Sequence, residues 1–279
     1  MISIIPSENP VSKVHQILLG GISPRPICFA STIDLNGNRN LAPFSFFNVF
    51  SANPPIAIFS PALSGRTSEP KHTYLNVKEV PEVVINLVTY NMVQQMSLAS
   101  SPYEKGVDEF VKSGFTPIDS DIVKPARVKE SPIQLECKVI EVKELGTKGG
   151  AGNLIICEIV KIHIDETFLN EKGLIDQQRI DLVARMGENW YCRAHGDSLF
   201  ELTKPITTCG IGVDVLPVHI RLSLLLTGNE LGILGNLEIF PSDEEKQMIK
   251  EKYLGQDAFV IAKNLILNNA AHEALALLW

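Results

Sequence analysis

No uninterrupted apolar run in the chain reaches the length of a bilayer-spanning helix, so an integral membrane helix is excluded. The opening MISIIPSENP has no basic start and only a short apolar stretch, and does not read as a secretory signal. Positive charge is in deficit. Lys and Arg number 25 against 32 Asp and Glu, a net charge of −7, which argues against nucleic acid or an anionic membrane as partner. Cysteine is scarce: Cys28, Cys137, Cys157, Cys192 and Cys209 are odd in number and contain no C-x-x-C pair. That excludes a zinc ribbon and a complete disulfide framework, and it points to reduced thiols in a cytoplasmic protein. Catalytic signatures are missing too. There is no G-x-S-x-G elbow, and no G-x-G-x-x-G joins a strand to a helix. His272-Glu273 starts like H-E-x-x-H, but Ala276 stands where the second histidine belongs, and the other histidines lack metal-ligand spacing.

What is present is an ordinary globular composition, 45% hydrophobic and 20% charged, in a chain long enough to bury a full core. The most informative stretch is Gly20–Ser51. Ser23-Pro24-Arg25-Pro26 opens it, Ile27–Ile33 is an apolar run, and Asp34-Leu35-Asn36-Gly37 signals a tight hairpin turn. The returning arm ends in Phe44-Ser45-Phe46-Phe47-Asn48-Val49-Phe50-Ser51, where flat apolar rings are interleaved with small hydrogen-bonding groups. Such an arm suits a flat heterocycle with a polar rim; equally, its phenylalanines can be the core of a barrel strand. In Ser64–Tyr74, Ser68 and Pro70 mark a helix start, with Arg66, Thr67, Lys71 and Thr73 nearby. This is either a phosphate cradle or an exposed polar loop.

Further along, Glu82–Val88 reads as a strand. Asn91–Ser100 has helical spacing with Met92 and Met96 on a core face. Gln134–Glu144 and Asn153–Ile164 form a long hairpin with a glycine-rich tip, 146–152, that lacks the Walker order and is expected to be mobile. Lys204-Pro205 marks a boundary, giving units 1–204 and 205–279. Beyond it, Thr227–Glu230 and Ser242–Glu245 are capping boxes, and Asp257 caps a last helix. Phe259, Ala262, Leu265, Ile266, Leu275 and Leu278 then form a broad apolar face that must be covered, by the first unit or by a second subunit.

The run ISPRPICFASTID, NGNRNLAPFSFFNVFSANPP, resembles the opening of the flavin reductase-like, FMN-binding split-barrel family, which includes flavoredoxin-like carriers. The likeness continues through Lys71-His72-Thr73, Val84–Val88, Gly106–Phe110, Ser131–Cys137, Gly152–Ile155 and Arg185…Trp190-Tyr191. It covers roughly residues 12 to 200 and little of the tail. The resemblance implies a mainly β fold with peripheral helices, an FMN-binding split barrel with a helical C-terminal extension. It also implies a homodimer that completes its flavin loops across a subunit seam.

Carried over by position, Ser31, Thr32, Ser45, Phe46, Phe47 and Asn48 would line the flavin ring. Ser23, Arg25 and Pro26 would border the ribityl chain or the pocket wall, and Lys71 and Thr73 would hold the phosphate. Arg185, Met186, Gly187, Trp190, Tyr191 and His195 belong to a segment that in the family lies near the flavin or the dimer seam, and are further lining candidates; equally, they can be an amphipathic edge packing its aromatics. The family pattern Lys-Asp-Thr carries His72 at its middle position here, which leaves no acid there. A flavin supplies its own electron chemistry, so the absence of a catalytic triad is no obstacle. The implied activity is an FMN-dependent oxidoreductase that takes hydride from NADH or NADPH and passes electrons to a small molecule or a protein. The alternatives are a flavoredoxin-like carrier without nicotinamide oxidation, and a non-enzymatic flavin-binding or assembly module.

Overall fold

The computed structural model describes all 279 residues. They form two compact units, Met1–Phe200 and Glu201–Trp279.

The first unit starts with helix α1 (Val11–Gly21). Strands β1 (Cys28–Ile33) and β2 (Arg39–Phe44) then pair antiparallel, Cys28 opposite Phe44 and Ile33 opposite Arg39. Asp34 builds the turn between them: its carboxylate accepts the N–H groups of Asn36 and Asn38, each at 2.9 Å. Gly37 completes it at a φ of +85°, where a side chain would be strained. The returning arm does not run on to Ser51 as one strand. It breaks at Ser45-Phe46, and β3 (Phe47–Ala52) pairs instead with β4 (Pro55–Phe59). Helix α2 (His72–Glu79), strand β5 (Glu82–Asn86), and helices α3 (Val93–Leu98) and α4 (Glu109–Ser113) follow. A two-residue ladder joins β6 (Pro117–Ile118) to β7 (Arg127–Val128). The long hairpin is β8 (Ile133–Glu144) with β9 (Asn153–Ile164), and a short one joins β10 (Val183–Arg185) to β11 (Tyr191–Arg193).

The main sheet is antiparallel, in the order β2-β1-β5-β8-β9-β4-β3. Its two edges, β2 and β3, are neighbours in sequence, separated only by Ser45 and Phe46. Three Cα steps reach at most about 11 Å. Six strand spacings laid flat would need about 29 Å. The sheet therefore curls until its edges approach, as a split barrel does. The rings of Phe44 on β2 and Phe59 on β4 meet across that closure, 5.6 Å apart.

Strand alternation sorts the core into two layers. Cys28, Ala30, Ala57, Phe59, Val83, Ile85, Cys137, Ile155 and Cys157 form one buried cluster inside the curled sheet. Phe29 and Leu41 turn the other way and pack with Met92, Met96, Phe110 and Phe115 under α3 and α4. The three buried cysteines are small apolar side chains: burial pushes the Cys157 thiol up to about 12 and raises Cys28 and Cys137 as well.

The glycine-rich tip of the β8–β9 hairpin is held, contrary to the mobility expected of it. Gly150 donates to the Leu63 carbonyl at 3.0 Å and Leu63 to that of Ala151 at 2.8 Å. A Cβ on Gly149 would come within 2.8 Å of the Ser64 carbonyl oxygen, so only glycine allows this approach.

The second unit contains α5 (Val218–Arg221), α6 (Gly228–Gly235), α7 (Asp243–Lys252), α8 (Ala258–Leu267) and α9 (Ala271–Leu278). Both expected capping boxes form, at Thr227/Glu230 and Ser242/Glu245, and Asp257 caps α8. The apolar face expected to seek the first unit or another subunit is covered within this unit. Ala262, Ile266, Leu275 and Leu278 pack with Leu216, Ile220, Leu226 and Leu234. No helix of the chain is long and apolar enough to cross a membrane.

Candidate functional site

Two cavities adjoin at the end of β2. One, of about 600 Å³, is walled by Ile27, Phe44, Ser45, Met96, Arg185 and Tyr191 among others. The second, of about 340 Å³, lies over the start of α2 and includes Asn40, Lys71, His72, Thr73, Tyr103 and Glu109. Pro43, Phe44 and Ser100 belong to both. Both volumes fall in the range of small-molecule sites. A third cavity, of about 300 Å³, meets the first along Gln94, Ser97, Asn189 and Tyr191.

Each wall has a local cause. Pro43 is tolerated because β2 is an edge strand and needs no ladder N–H at that position. The outward N–H of Leu41 is accepted by Glu109 Oε2 at 3.0 Å, and Arg39 holds Asp108, the cap of α4, through two bonds of 2.9 and 2.7 Å. Glu109 is buried; desolvation raises its pKa above the ordinary glutamate value, against the pull of backbone N–H groups. Helix α3 buries Met96 on one face, which turns Gln94 and Ser97 towards the first cavity.

A buried polar network sets the start of α2 against β2. Asn40 donates to Thr73 Oγ1 at 2.9 Å and to Thr32 Oγ1 at 3.4 Å, and Asn76 donates to Thr32 Oγ1 at 3.2 Å. The helix itself begins at His72, later than Ser68, which instead has a left-handed φ of 59°. No side chain caps it. Its first N–H groups lack intrahelical partners and carry the positive dipole end, beside Lys71. His72 is held below its usual pKa by burial, with Lys105 and Lys71 adding to the effect.

Of the residues expected at a flavin site, the structure brings Ser45, Lys71 and Thr73 to these cavities. The other eight border neither. Ser31 and Thr32 are fully buried in β1, because β2 and β5 flank that strand on both sides. Thr32 acts through the network just described. Arg25 is buried, and its guanidinium donates to the carbonyls of Leu19, Ile22 and Met186 at 2.5, 2.5 and 2.8 Å. Its remaining contact, Nε to Ser45 Oγ at 3.4 Å, positions a residue that does reach the cavity. Ser23 donates to the Gly20 carbonyl, and Pro26 is exposed. Phe47 packs on the barrel core, while Phe46 is exposed with its ring edge-on to His15 at 6.2 Å. Asn48 is exposed, its side-chain oxygen accepting the N–H of Val49. All four outcomes after Phe44 follow from the strand break at Ser45-Phe46, which swings the chain to the other edge of the sheet.

Among the further candidates, Arg185 and Tyr191 line the first cavity; Met186, Trp190 and His195 line none of the three. Phe44, the first ring of the arm expected to suit a flat heterocycle, is in the wall of both the first and the second cavity; Gln94, Ser97, Ser100, Tyr103 and Glu109 were not anticipated. The polar spacing of 94 and 97 opposite Met92 and Met96 is the signal that could have revealed the α3 pair.

Comparison with known proteins agrees with this geometry. The model of the flavin reductase like domain matches residues 20–180. An uncharacterised protein of Aquifex aeolicus is 32% identical over 191 residues, covering 68% of this chain and 94% of its own. Component B of nitrilotriacetate monooxygenase from Bacillus cereus superposes with a TM-score of 0.67 at 30% identity, covering 72% of this chain and 98% of that one. A flavin reductase-type protein with a split barrel domain from Shewanella frigidimarina gives 0.60 at 28%, covering 70% and 93%. The curled sheet with its cavities at the closure is thus a flavin reductase-type split barrel, and the chain belongs to the flavin reductase like family.

Proposed function

We propose that the two adjoining cavities hold FMN, and that the protein is an NAD(P)H-dependent oxidoreductase that moves electrons through it to a small-molecule or protein acceptor. One observation carries the reading. The uncapped start of α2, with Lys71 beside it, lies in a cavity that shares Pro43, Phe44 and Ser100 with one walled by Ser45 and Tyr191.

The donor set fits the cofactor. A phosphate needs a cation and several N–H or O–H donors to replace its water. Lys71, the first amides of α2, and the hydroxyls of Thr67, Ser101 and Tyr103 provide that chemistry in the smaller cavity. The ring of a flavin needs flat apolar walls and rim donors, for which Phe44, Ile27, Met96, Ser45 and Gln94 are suited. When bound, FMN supplies the hydride-accepting and electron-donating chemistry. The protein's residues bind it, orient it and exclude water. The adjoining third cavity leaves room for a second substrate against the same wall.

We further propose a homodimer. The edge strand β3 exposes Val49 and Phe50, and α1 exposes Val11, Ile17 and Leu18.

The test begins with FMN titration of the purified protein, followed by NADH and NADPH oxidation with FMN bound. Saturable FMN binding with steady-state oxidation of either nucleotide is expected. Binding without oxidation would leave a flavin carrier, and no binding would overturn the site.

A further inference from the structure

Two arginines meet beside the larger cavity without an acid between them. Arg25 and Arg185 are paired through their backbones, Arg25 N–H to the Arg185 carbonyl at 2.9 Å and the reverse at 2.8 Å. Arg185 reaches the cavity wall. Its guanidinium lies 4.6 Å over the Tyr191 ring and donates to the carbonyls of Trp190, at 3.0 Å, and Glu188. Arg25 is spent on three carbonyls and Ser45.

Neither arginine takes part in any ion pair of the chain. Asp181, four residues before Arg185 in the chain, is held by Arg193 through two bonds of 2.7 Å. Carbonyl oxygens satisfy the N–H donors but leave both net charges in place. Burial, and after it the charge of Arg185, depress the Arg25 guanidinium. Two uncompensated positive charges, Arg185 in the cavity wall and Arg25 buried behind it, favour an anion in that cavity, the more so for the lowered dielectric.

Resting on the flavin reading above, we infer that the Arg25–Arg185 pair makes this cavity prefer the reduced, anionic form of its flavin over the neutral oxidised form. The electron balance defines why the charge matters. A hydride from a dihydronicotinamide brings two electrons and one proton: the donor's C–H bond breaks, an N–H bond forms on the ring, and one negative charge stays on the ring. Arg185 would stabilise that charge from the cavity wall. Arg25, which does not reach the cavity, is a positioning residue that fixes the Arg185 backbone and adds to the field.

The inference is tested on the full chain with FMN. Dissociation constants for oxidised FMN come from absorbance titration, and midpoint potentials from reductive titration against a reference dye. Arg185→Gln is expected to weaken reduced FMN about tenfold more than oxidised FMN, a fall of about 30 mV for a two-electron couple. Arg185→Lys, which keeps the charge, should stay near the parent. Asn189→Asp, which places a negative charge on the same exposed wall, should also lower the potential. Equal potentials for the parent and Arg185→Gln would overturn the inference. So would an Arg185→Lys protein that falls as far as Arg185→Gln, since hydrogen bonding and not charge would then be responsible. Should Arg185→Gln fail to fold, Asn189→Asp decides: an unchanged potential there rejects the charge effect. A parent that binds no FMN overturns the cofactor reading itself, which the first titration reports separately from the potentials.

Discussion

Phe44 and Phe59 touch at 5.6 Å although β1, β5, β8 and β9 all lie between their strands in the sheet. This contact joins the two margins of the curled sheet, and Phe44 is also, with Pro43 and Ser100, a wall common to both cavities. Closure of the barrel and shape of the site therefore depend on the same ring pair. Phe59 is fully buried and borders neither cavity. Phe59→Ala is expected to destabilise the first unit by about 3–5 kcal/mol, through lost burial and the cavity left behind. FMN should weaken at the same time, because Phe44 loses its backing. Denaturant titration with FMN binding measured under native conditions checks both. A loss below about 1 kcal/mol would mean that the closure does not rely on this contact.

Lys71 is exposed at the start of α2, in the cavity proposed for the phosphate. Lys71→Ala should weaken FMN by about 1.5–3 kcal/mol, the range for hydrogen bonds to charged groups. Riboflavin, without the phosphate, should change much less. Equal losses for both ligands, or none for FMN, would remove Lys71 from the phosphate site.

How much of this could be read from the chain depends on how local each cause is. The Asp34–Gly37 turn, the β8–β9 hairpin and the caps at Thr227, Ser242 and Asp257 are set by residues within a few positions, and they form where expected. The break at Ser45-Phe46 is different. No Gly or Pro stands at it and the mixed apolar and polar pattern runs on through Phe46-Phe47, so the order of strands in the sheet is what shows that the chain changes edges there. Arg25 and Thr32 were expected at the site for the same reason. Proximity in sequence placed them in the right neighbourhood, while burial under β2, β5 and the 186–190 turn made them supports. Lys71 and Ser45 lie at an element start and a strand break, where side chains are left unpacked, and both reach the cavities.

Glu109 puts a carboxylate in the same cavity as Lys71, and its pKa is raised chiefly by burial. When ionised, that carboxylate opposes a phosphate dianion. Glu109→Gln keeps an oxygen acceptor for the Leu41 N–H and removes the charge. It should tighten FMN several-fold and leave riboflavin nearly unchanged, with little loss of stability. Weaker FMN binding in a protein of parental stability would show that the carboxylate contacts the ligand favourably.

Glu136 is fully buried and accepts N–H groups from Asp121, Ile122 and Val123 at 2.8, 2.6 and 3.1 Å, with His163 Nε2 at 2.6 Å. Burial pushes its pKa up, but these donors outweigh burial and the net shift is downward. A carboxyl with a lowered folded pKa stabilises the fold above its unfolded value, about 4.3, and loses that contribution as pH falls through the folded value. Glu136→Gln should therefore cost about 1–3 kcal/mol at neutral pH, since an amide cannot accept all four donors. Its stability should also decline less steeply in acid than the parent's. Parallel acid limbs for the two proteins would exclude Glu136 as a contributor.

Phe50 lies on edge strand β3 with 65% of its surface exposed, next to Val49 at 54%. An apolar edge strand left open is a template for pairing with another chain, and stable proteins cover or blunt such edges. In the second unit the apolar faces of α8 and α9 are already packed internally in one cluster, so the surface that recommends self-association is the β3 edge with α1 beside it. The Phe46–His15 ring contact joins α1 to the residue just before β3. A homodimer through this face should bury about 1,200–2,000 Å² in total, enough for a stable complex at micromolar concentration. Phe50→Glu would place a charge in the middle of that surface, where it could not be solvated, and should shift the dimer to monomer without unfolding either unit. Light scattering of parent and variant at matched concentration reads the outcome directly. A monomeric parent, or a Phe50→Glu protein that remains dimeric, would reject this face as the interface. If the dimer also shapes the flavin cavities, the monomeric variant should bind FMN more weakly than the parent.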